Sequence, residues 1–480
     1  MKLDPQDKIL VDGQLVEVGE KIAEAFEVGD KLLASPSAGL LLVPKSESDL
    51  VGVSVGEAVA AFSELCNVTD AQITHFYDGF AQRLADDALF EKIRAVNNED
   101  VARASALGRS TTRLALTDSM RNDMIDALLI WKTLSPARSA AEIVTHNGWT
   151  IESHVAPLGV VGFVFEGRPN VFADATGVLR SRNACVFRIG SDAFETAKAI
   201  MDLAVIPSLA ESGLPTYCVS LLPSKTHACA WALFSDRRLS LAVARGSGSS
   251  VALLGEIAQQ HGIPASLHGT GGAWMVVSRI AETDRLRSVV QCSLDRKVCN
   301  TLNTVVITRS SLVGNLQTVI DGVVFAATAR NTHAVLHVDL EVQEALKQCA
   351  LPETVVVEII DHDALGSEWE WENSPEVSIV VAEDTQRAVA LFNSHSPSFV
   401  LSIVSDDDQE IEQAWLSSNA PFFGDGMTRW VDGQYALRKP ELGLSNWQNG
   451  RTFSRGGILS GDSIFTIRYR VRQSDPSVKR

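Results

Sequence analysis

The chain reads as an α/β protein with two doubly wound parallel sheets, and three observations carry that reading. Short, wholly apolar runs alternate with helix-length segments from Pro157 to Leu222, as expected for parallel strands buried on both faces. A second alternating set starts near Thr283, with strand-like runs at Val305, Val355 and Ile379. At 480 residues, 45% hydrophobic and 21% charged, the chain is globular and too long for one ordinary core.

Taken in order, residues 1–45 carry mixed charge and one apolar run, Gly39 to Pro44. They read as an appendage of strands and a short helix. From about Val51 to Leu134, apolar residues recur at three- and four-residue spacing, which predicts helices. Thr117 or Asp118 is placed to cap the helix that carries Met120 to Leu129. Past Asn147 the period changes. Pro157–Phe165 is a continuous apolar strand, followed by the loop Glu166-Gly167-Arg168-Pro169-Asn170 and a helix over Val171–Ser181. Ala184–Arg188 is a second strand, Ala193–Leu209 a helix, and Tyr217–Leu222 a third strand. Leu239–Ala244 then leads through Arg245-Gly246-Ser247-Gly248-Ser249 into a helix over Val251–Gln260.

Ligands of such sheets bind beyond the carboxyl ends of the strands, where Arg168 and Arg188 fall. A Gly/Ser loop opening a helix offers backbone N–H groups to an anion, although this one lacks the GxGxxG spacing and also reads as a tight turn. The terminal Phe465–Arg472 alternates strictly, with Phe465, Ile467, Tyr469 and Val471 on one face. That pattern predicts a strand with one buried and one wet face.

The net charge of −17 argues against a nucleic-acid partner. The 7 cysteines are odd in number and lack metal-ligand spacing, so neither a metal centre nor a disulfide framework is expected. The start MKLDPQDK has no apolar core of a signal peptide, and no apolar run approaches the ~20 residues of a membrane span. The cytoplasm is therefore the expected location.

Cys299 lies in Arg296-Lys297-Val298-Cys299-Asn300-Thr301, between a helix over Thr283–Leu294 and a strand over Thr304–Thr308. Thiolates are the reactive form, and neighbouring cations favour them. Cys299 is thus a candidate nucleophile, the alternative being a buried structural thiol.

Several motifs resemble the aldehyde dehydrogenase superfamily and, within it, the γ-glutamyl phosphate reductase (glutamate-5-semialdehyde dehydrogenase) family. They are Pro157-Leu158-Gly159-Val160 through Glu166-Gly167-Arg168-Pro169-Asn170, the run Asn183–Ala193, Arg245-Gly246-Ser247-Gly248, His268-Gly269-Thr270-Gly271 and Val298-Cys299-Asn300-Thr301. Met427-Thr428-Arg429, Asp432-Gly433, Glu441–Ser445 and Arg455-Gly456 continue the series. Departures are Gly167 for Ser, Thr270 for Asp, the stretch Gln448–Ser454, and Gly457 for Pro.

The resemblance implies an aldehyde dehydrogenase-like fold with a small oligomerisation arm. It divides the chain into an extension (1–45), a cofactor-binding domain with N-terminal helices (46–285), a catalytic domain (286–440), and a return segment with the C-terminal strand (441–480). It also implies reduction of an acyl phosphate to an aldehyde through a thioester on Cys299, in proline biosynthesis or a specialised pathway. Asn170 is the candidate oxyanion amide, or else a helix N-cap. Arg168, Thr428, Arg429 and Arg455 are the expected substrate-binding residues. Arg188, Gly190, Ser191, Arg245, Gly246, Ser247, Gly248, His268 and Gly269 are those expected to bind the cofactor.

NADP is the expected cofactor, because Arg188 and Ser191 stand where NAD-preferring relatives often carry a carboxylate. The turn at His268 lacks the Glu with which oxidising members activate water, which suits reduction. At least a homodimer is expected, held partly by the terminal strand. The alternatives are an acyl-CoA (thioester) reductase using the same cysteine, and a catalytically reduced homologue acting as a partner protein.

Overall fold

The computed structural model describes residues 3–11, 13–109, 111–134, 142–279, 282–443, 447–448, 451–452 and 458–479. The chain divides into two compact units. The first is residues 1–269 with 433–443 and 458–480; the second is residues 270–432 with 444–457.

The first unit is organised by a five-stranded, all-parallel sheet in the order 265–268, 239–245, 160–165, 184–189, 219–221. Val160–Phe165 and Ala184–Ile189 are buried at every position, which is why they read as unbroken apolar runs. Strand order reverses between Val160–Phe165 and Leu239–Arg245. In doubly wound sheets that reversal opens a crevice at the carboxyl ends.

Four long helices precede the sheet: Lys45–Glu64, Asp70–Ala85, Asp87–Ala106 and Asp118–Thr133. Thr117 caps the last, its hydroxyl accepting from the Met120 N–H. The helix expected over Val171–Ser181 is α-helical only to Ala175 and then tightens to 3₁₀. The helix His227–Phe234 gave no sequence signal because it is apolar nearly all round and has no stripe to detect. The N-terminal appendage comprises two hairpins, Lys8–Val11 with Gln14–Glu17 and Lys31–Ser35 with Gly39–Val43, and the short helix Glu20–Ala25.

A separate three-stranded antiparallel sheet joins Phe465–Gln473 to Trp149–Pro157 and Ile143–His146. Within this one chain the expected buried face is not covered. Within one chain Ile467 is 43% exposed, Tyr469 73% and Val471 58%, so neither face of the terminal strand is covered. It is an edge strand, laddered on one side only to Trp149–Pro157, and among the described residues no second layer packs on it.

The second unit holds a seven-stranded parallel sheet in the order 355–359, 334–338, 376–382, 302–308, 273–277, 400–404, 422–424. Arg309–Ala329 is long and apolar enough to cross a bilayer. Its Leu316, Val319, Ile320 and Val323 are instead buried in this unit's core.

Candidate active site

Cys299 sits on the connector between the helix Thr283–Cys292 and the strand Leu302–Thr308, at the amino end of that strand. The connector is a tight turn closed on itself. Thr301 N–H donates to the Val298 carbonyl, and the Thr301 hydroxyl donates to the Arg296 carbonyl at 2.6 Å. The same hydroxyl oxygen accepts from Val298 N–H at 2.9 Å.

The Gly271-Gly272 turn leads into the neighbouring strand Ala273–Val277. Gly272 N–H donates to the Cys299 carbonyl at 2.7 Å, and Ala273 N–H to the Thr301 carbonyl at 2.9 Å. A Cβ on Gly271 would lie 2.6 Å from Cys299 Cα and 2.8 Å from its Cβ, so only glycine permits this approach.

Two of the expected substrate-binding residues do something else. Thr428 is fully buried; its hydroxyl donates to the Asn300 carbonyl at 2.7 Å and its N–H to the Ser293 hydroxyl at 2.9 Å. Arg429 Nε donates to Asp295 at 2.6 Å, and its Nη1 donates to the Asn300 side-chain carbonyl. Both are occupied in holding Asn300, the residue after the thiol. Arg455 lies outside the described residues.

In sequence, Lys297 is a cation placed to favour the thiolate. It is instead buried in an ion pair with Glu368 at 2.6 Å, the side chains being 5% and 12% exposed. Glu368 carries no signal in sequence, where it belongs to the acidic-aromatic run Glu368-Trp369-Glu370-Trp371-Glu372, which looks like a solvated stretch.

Competition from the other cysteines is limited by burial. It pushes the Cys185 and Cys218 thiols well above the ordinary range, Cys229 up to about 12, and Cys349 upward. Cys66 and Cys292 are exposed. Cys299 is partly exposed, so access alone does not single it out.

In the first unit, every strand at the crevice is followed within two residues by a glycine: Gly167, Gly190, Gly246 and Gly269. Such an edge lets a ligand approach the backbone closely. Asn170 occupies the N-cap position of Val171–Ala175, but its side chain makes no capping bond. Arg168, on the same loop, is half-buried.

At the helix Gly248–Gln260, the Glu166 carboxylate accepts from Ser247 N–H, and a Cβ on Gly246 would lie 2.6 Å from that carboxylate. The anion site read from Arg245–Ser249 thus faces a carboxylate of the chain itself. Gly167 tolerates a side chain, since the nearest atom to an added Cβ is 3.5 Å away. Arg245 reaches Glu441, its Nη1 donating to the backbone carbonyl at 3.3 Å. His268 Nδ1 is buried, and burial together with the cations of Arg245, Arg168 and Arg113 pushes the imidazole down to about 3.

Arg188 does not present its guanidinium to solvent. It is 5% exposed, and Nη2 donates to the carbonyls of Lys225 and Thr226 at 2.9 and 3.0 Å. Its Nε, Glu47 Oε2 and Ser48 Oγ are buried without a hydrogen-bond partner. Beyond the strand, Ser191 is exposed, and the Asp192 carboxylate is paired with Arg109. The glycine-lined edge and the orphaned polar atoms near the Ala184–Ile189 strand fit a dinucleotide. Among the described residues, no three His, Cys, Asp or Glu side chains are placed to hold a metal ion.

No protein-family model matches the chain. A γ-glutamyl phosphate reductase of Rhodopseudomonas palustris (strain HaA2) is 28% identical over 401 residues, covering 79% of this chain and 85% of the relative. The crystal structure of γ-glutamyl phosphate reductase from Thermotoga maritima superposes with a TM-score of 0.77 at 20% identity, covering 90% of this chain and all of that one. An acetylating aldehyde dehydrogenase from Geobacillus thermoglucosidasius gives 0.63 at 14% identity, covering 91% and 99%. An engineered glycolyl-CoA reductase with bound NADP+ gives 0.60 at 15% identity, covering 89% and 98%. The fold is therefore that of the aldehyde dehydrogenases, and the motif-level resemblance extends over most of the chain.

Proposed function

We propose that this protein is an NADPH-dependent reductase of γ-glutamyl phosphate or a related acyl phosphate, acting through a thioester on Cys299. The observation that carries the reading is the construction around Cys299: a part-exposed thiol on a turn stitched to Gly271-Gly272 on one side and to Thr428-Arg429 on the other. Curated relatives with the name γ-glutamyl phosphate reductase support the substrate class.

In this mechanism the Cys299 thiolate attacks the acyl carbon and phosphate leaves. The developing oxyanion is stabilised by donors aimed at it, for which the Cys299 backbone N–H and the Asn170 amide are the candidates. Arg168 supplies positive charge for an anionic substrate group. A bound nicotinamide supplies the hydride that releases the thioester as an aldehyde. Its binding falls to the first unit, at the glycines following Val160–Phe165, Ala184–Ile189, Leu239–Arg245 and Ala265–His268.

NADP is the finer reading. Ser191 offers an exposed hydroxyl, and the pairing of Asp192 with Arg109 offsets the carboxylate that would repel a 2′-phosphate. Arg188 contributes indirectly, by holding the Lys225-Thr226 turn. Assembly as at least a homodimer is part of the same reading, the uncovered Ile467, Tyr469 and Val471 being the surface a second copy would bury.

Stopped-flow NADPH oxidation with an acyl phosphate, an acyl-CoA and neither tests the proposal. Turnover with the acyl phosphate, lost in Cys299→Ser, is the expected result. Preference for acyl-CoA would move the protein to the thioester reductases. No turnover with any activated acyl group would make it a partner protein.

A further inference from the structure

We infer that Glu368, seated by Lys297, is a positioning residue that fixes the Cys299 thiol through the Gly271 amide; the inference rests on the role proposed for Cys299. Glu368 uses both carboxylate oxygens. Oε1 accepts from Lys297 Nζ at 2.6 Å, and Oε2 accepts from Gly271 N–H at 2.5 Å. Gly271 lies directly against Cys299, and the next amide, Gly272 N–H, holds the Cys299 carbonyl at 2.7 Å.

Glu368 is itself fixed. The Ser367 carbonyl accepts from Asn303 Nδ2 at 2.9 Å, and Trp369 N–H donates to Asn303 Oδ1 at 2.8 Å. Trp369 stacks on His337 with ring centroids 3.6 Å apart, and its indole N–H donates to Ser378 at 2.8 Å. A fixed segment thus ends in a carboxylate whose second oxygen grips the turn beneath the nucleophile.

An ion pair this buried is poorly explained by stability, because replacing such pairs with apolar residues is often neutral or stabilising. Geometry explains it better. A carboxylate held in one rotamer by Lys297 gives Gly271 one position, and a nucleophile displaced by about 1 Å loses roughly a hundredfold in rate.

The test uses the full-length protein and five variants: Glu368→Ala, Glu368→Gln, Lys297→Met, Lys297→Met/Glu368→Gln and Lys297→Met/Glu368→Leu. Three quantities are read: deuterium uptake of the peptide containing Thr270–Ala273, kcat and KM with acyl phosphate, and the melting temperature. Glu368→Ala is expected to expose the Gly271 amide to exchange and to lower kcat about ten- to a hundredfold, with KM within about threefold.

Lys297→Met/Glu368→Gln, neutral but still offering an oxygen to Gly271, should keep amide protection and most of kcat. Lys297→Met/Glu368→Leu, apolar and folded, should lose both; if it retains either, the inference is overturned. A Cys299→Ser enzyme that still turns over would overturn the functional reading instead, and amide exchange would still decide whether Glu368 holds the turn.

Discussion

Replacing Gly271 by alanine probes the site where its geometry is tightest. The added Cβ would meet Cys299 Cα and carbonyl oxygen at 2.6 Å and Cys299 Cβ at 2.8 Å, against an optimal carbon separation of about 3.5–4.0 Å. All three are backbone or Cβ atoms, so no side-chain rotation relieves the clash, and the turn must retreat by roughly 1 Å. That retreat stretches the 2.7 Å bond from Gly272 N–H to the Cys299 carbonyl beyond hydrogen-bonding range. Overpacking at about 1–3 kcal/mol and a lost hydrogen bond at about 1 kcal/mol give a destabilisation of roughly 2–4 kcal/mol. For a unit of this size, that lowers Tm by roughly 5–15 °C. Single-turnover reduction should slow about a hundredfold, since the thiol moves with its turn. Calorimetry and rapid-mixing NADPH oxidation measure the two effects. Gly314→Ala is the control, because a Cβ there meets no atom within 4 Å. A Gly271→Ala protein that melts and turns over like Gly314→Ala would refute the reasoning.

Arg188→Ala should weaken NADPH and NADH alike in binding titrations, because the guanidinium holds the Lys225-Thr226 turn; a selective loss of NADPH would show direct contact with the phosphate. Ser191→Asp should cost NADPH alone roughly ten- to a hundredfold in affinity, and equal losses for the two cofactors would sink the NADP reading. His268, pushed down from 6.5 to about 3, stays neutral in the folded protein while the unfolded chain takes up its proton below pH 6.5. Its stabilisation is therefore complete above about pH 6.5 and is lost as pH falls toward 3, by the order of a few kcal/mol. Urea midpoints at pH 4.5 and 7.5 should differ more for the wild type than for His268→Gln, and parallel shifts would contradict this. For the arm, truncation after Gly461 would also remove Ile464, which is wholly buried and accepts a 2.7 Å bond from Asn183. Tyr469→Lys/Val471→Lys is the cleaner test: light scattering should report monomers, and an unchanged dimer would rule out this surface.

The sheets were readable because their strands are buried on both faces, and an unbroken apolar run such as Val160–Phe165 has few other places in a fold. The arm was only half readable. Strict alternation in Phe465–Arg472 foretold a strand, but its partner, Trp149–Pro157, lies some three hundred residues earlier and carries no mark of the pairing. Nor can alternation say whether an apolar face is covered by the same chain or by another.

At the candidate site, the charges that stand near Cys299 or at the strand ends in sequence find partners within the fold. Lys297 stands two residues from Cys299 and looked like its activator, yet its charge is met by Glu368, seventy-one residues away. Arg429 looked like a substrate anchor and instead grips Asn300 and Asp295. Arg188 looked like a phosphate ligand and caps two backbone carbonyls. One physical cause underlies all three. A cation drawn into a packed unit must find acceptors there or carry a large desolvation cost, and acceptors come from whichever loop the sheet order brings near. Local sequence therefore identifies which charges are close to the candidate nucleophile, while topology decides which of them remain available to a ligand. Cations whose partners lie within the fold shape the site by holding backbone, and for that reason their replacement should act without discriminating between ligands that differ only in charge, as the equal loss of NADPH and NADH expected of Arg188→Ala would show.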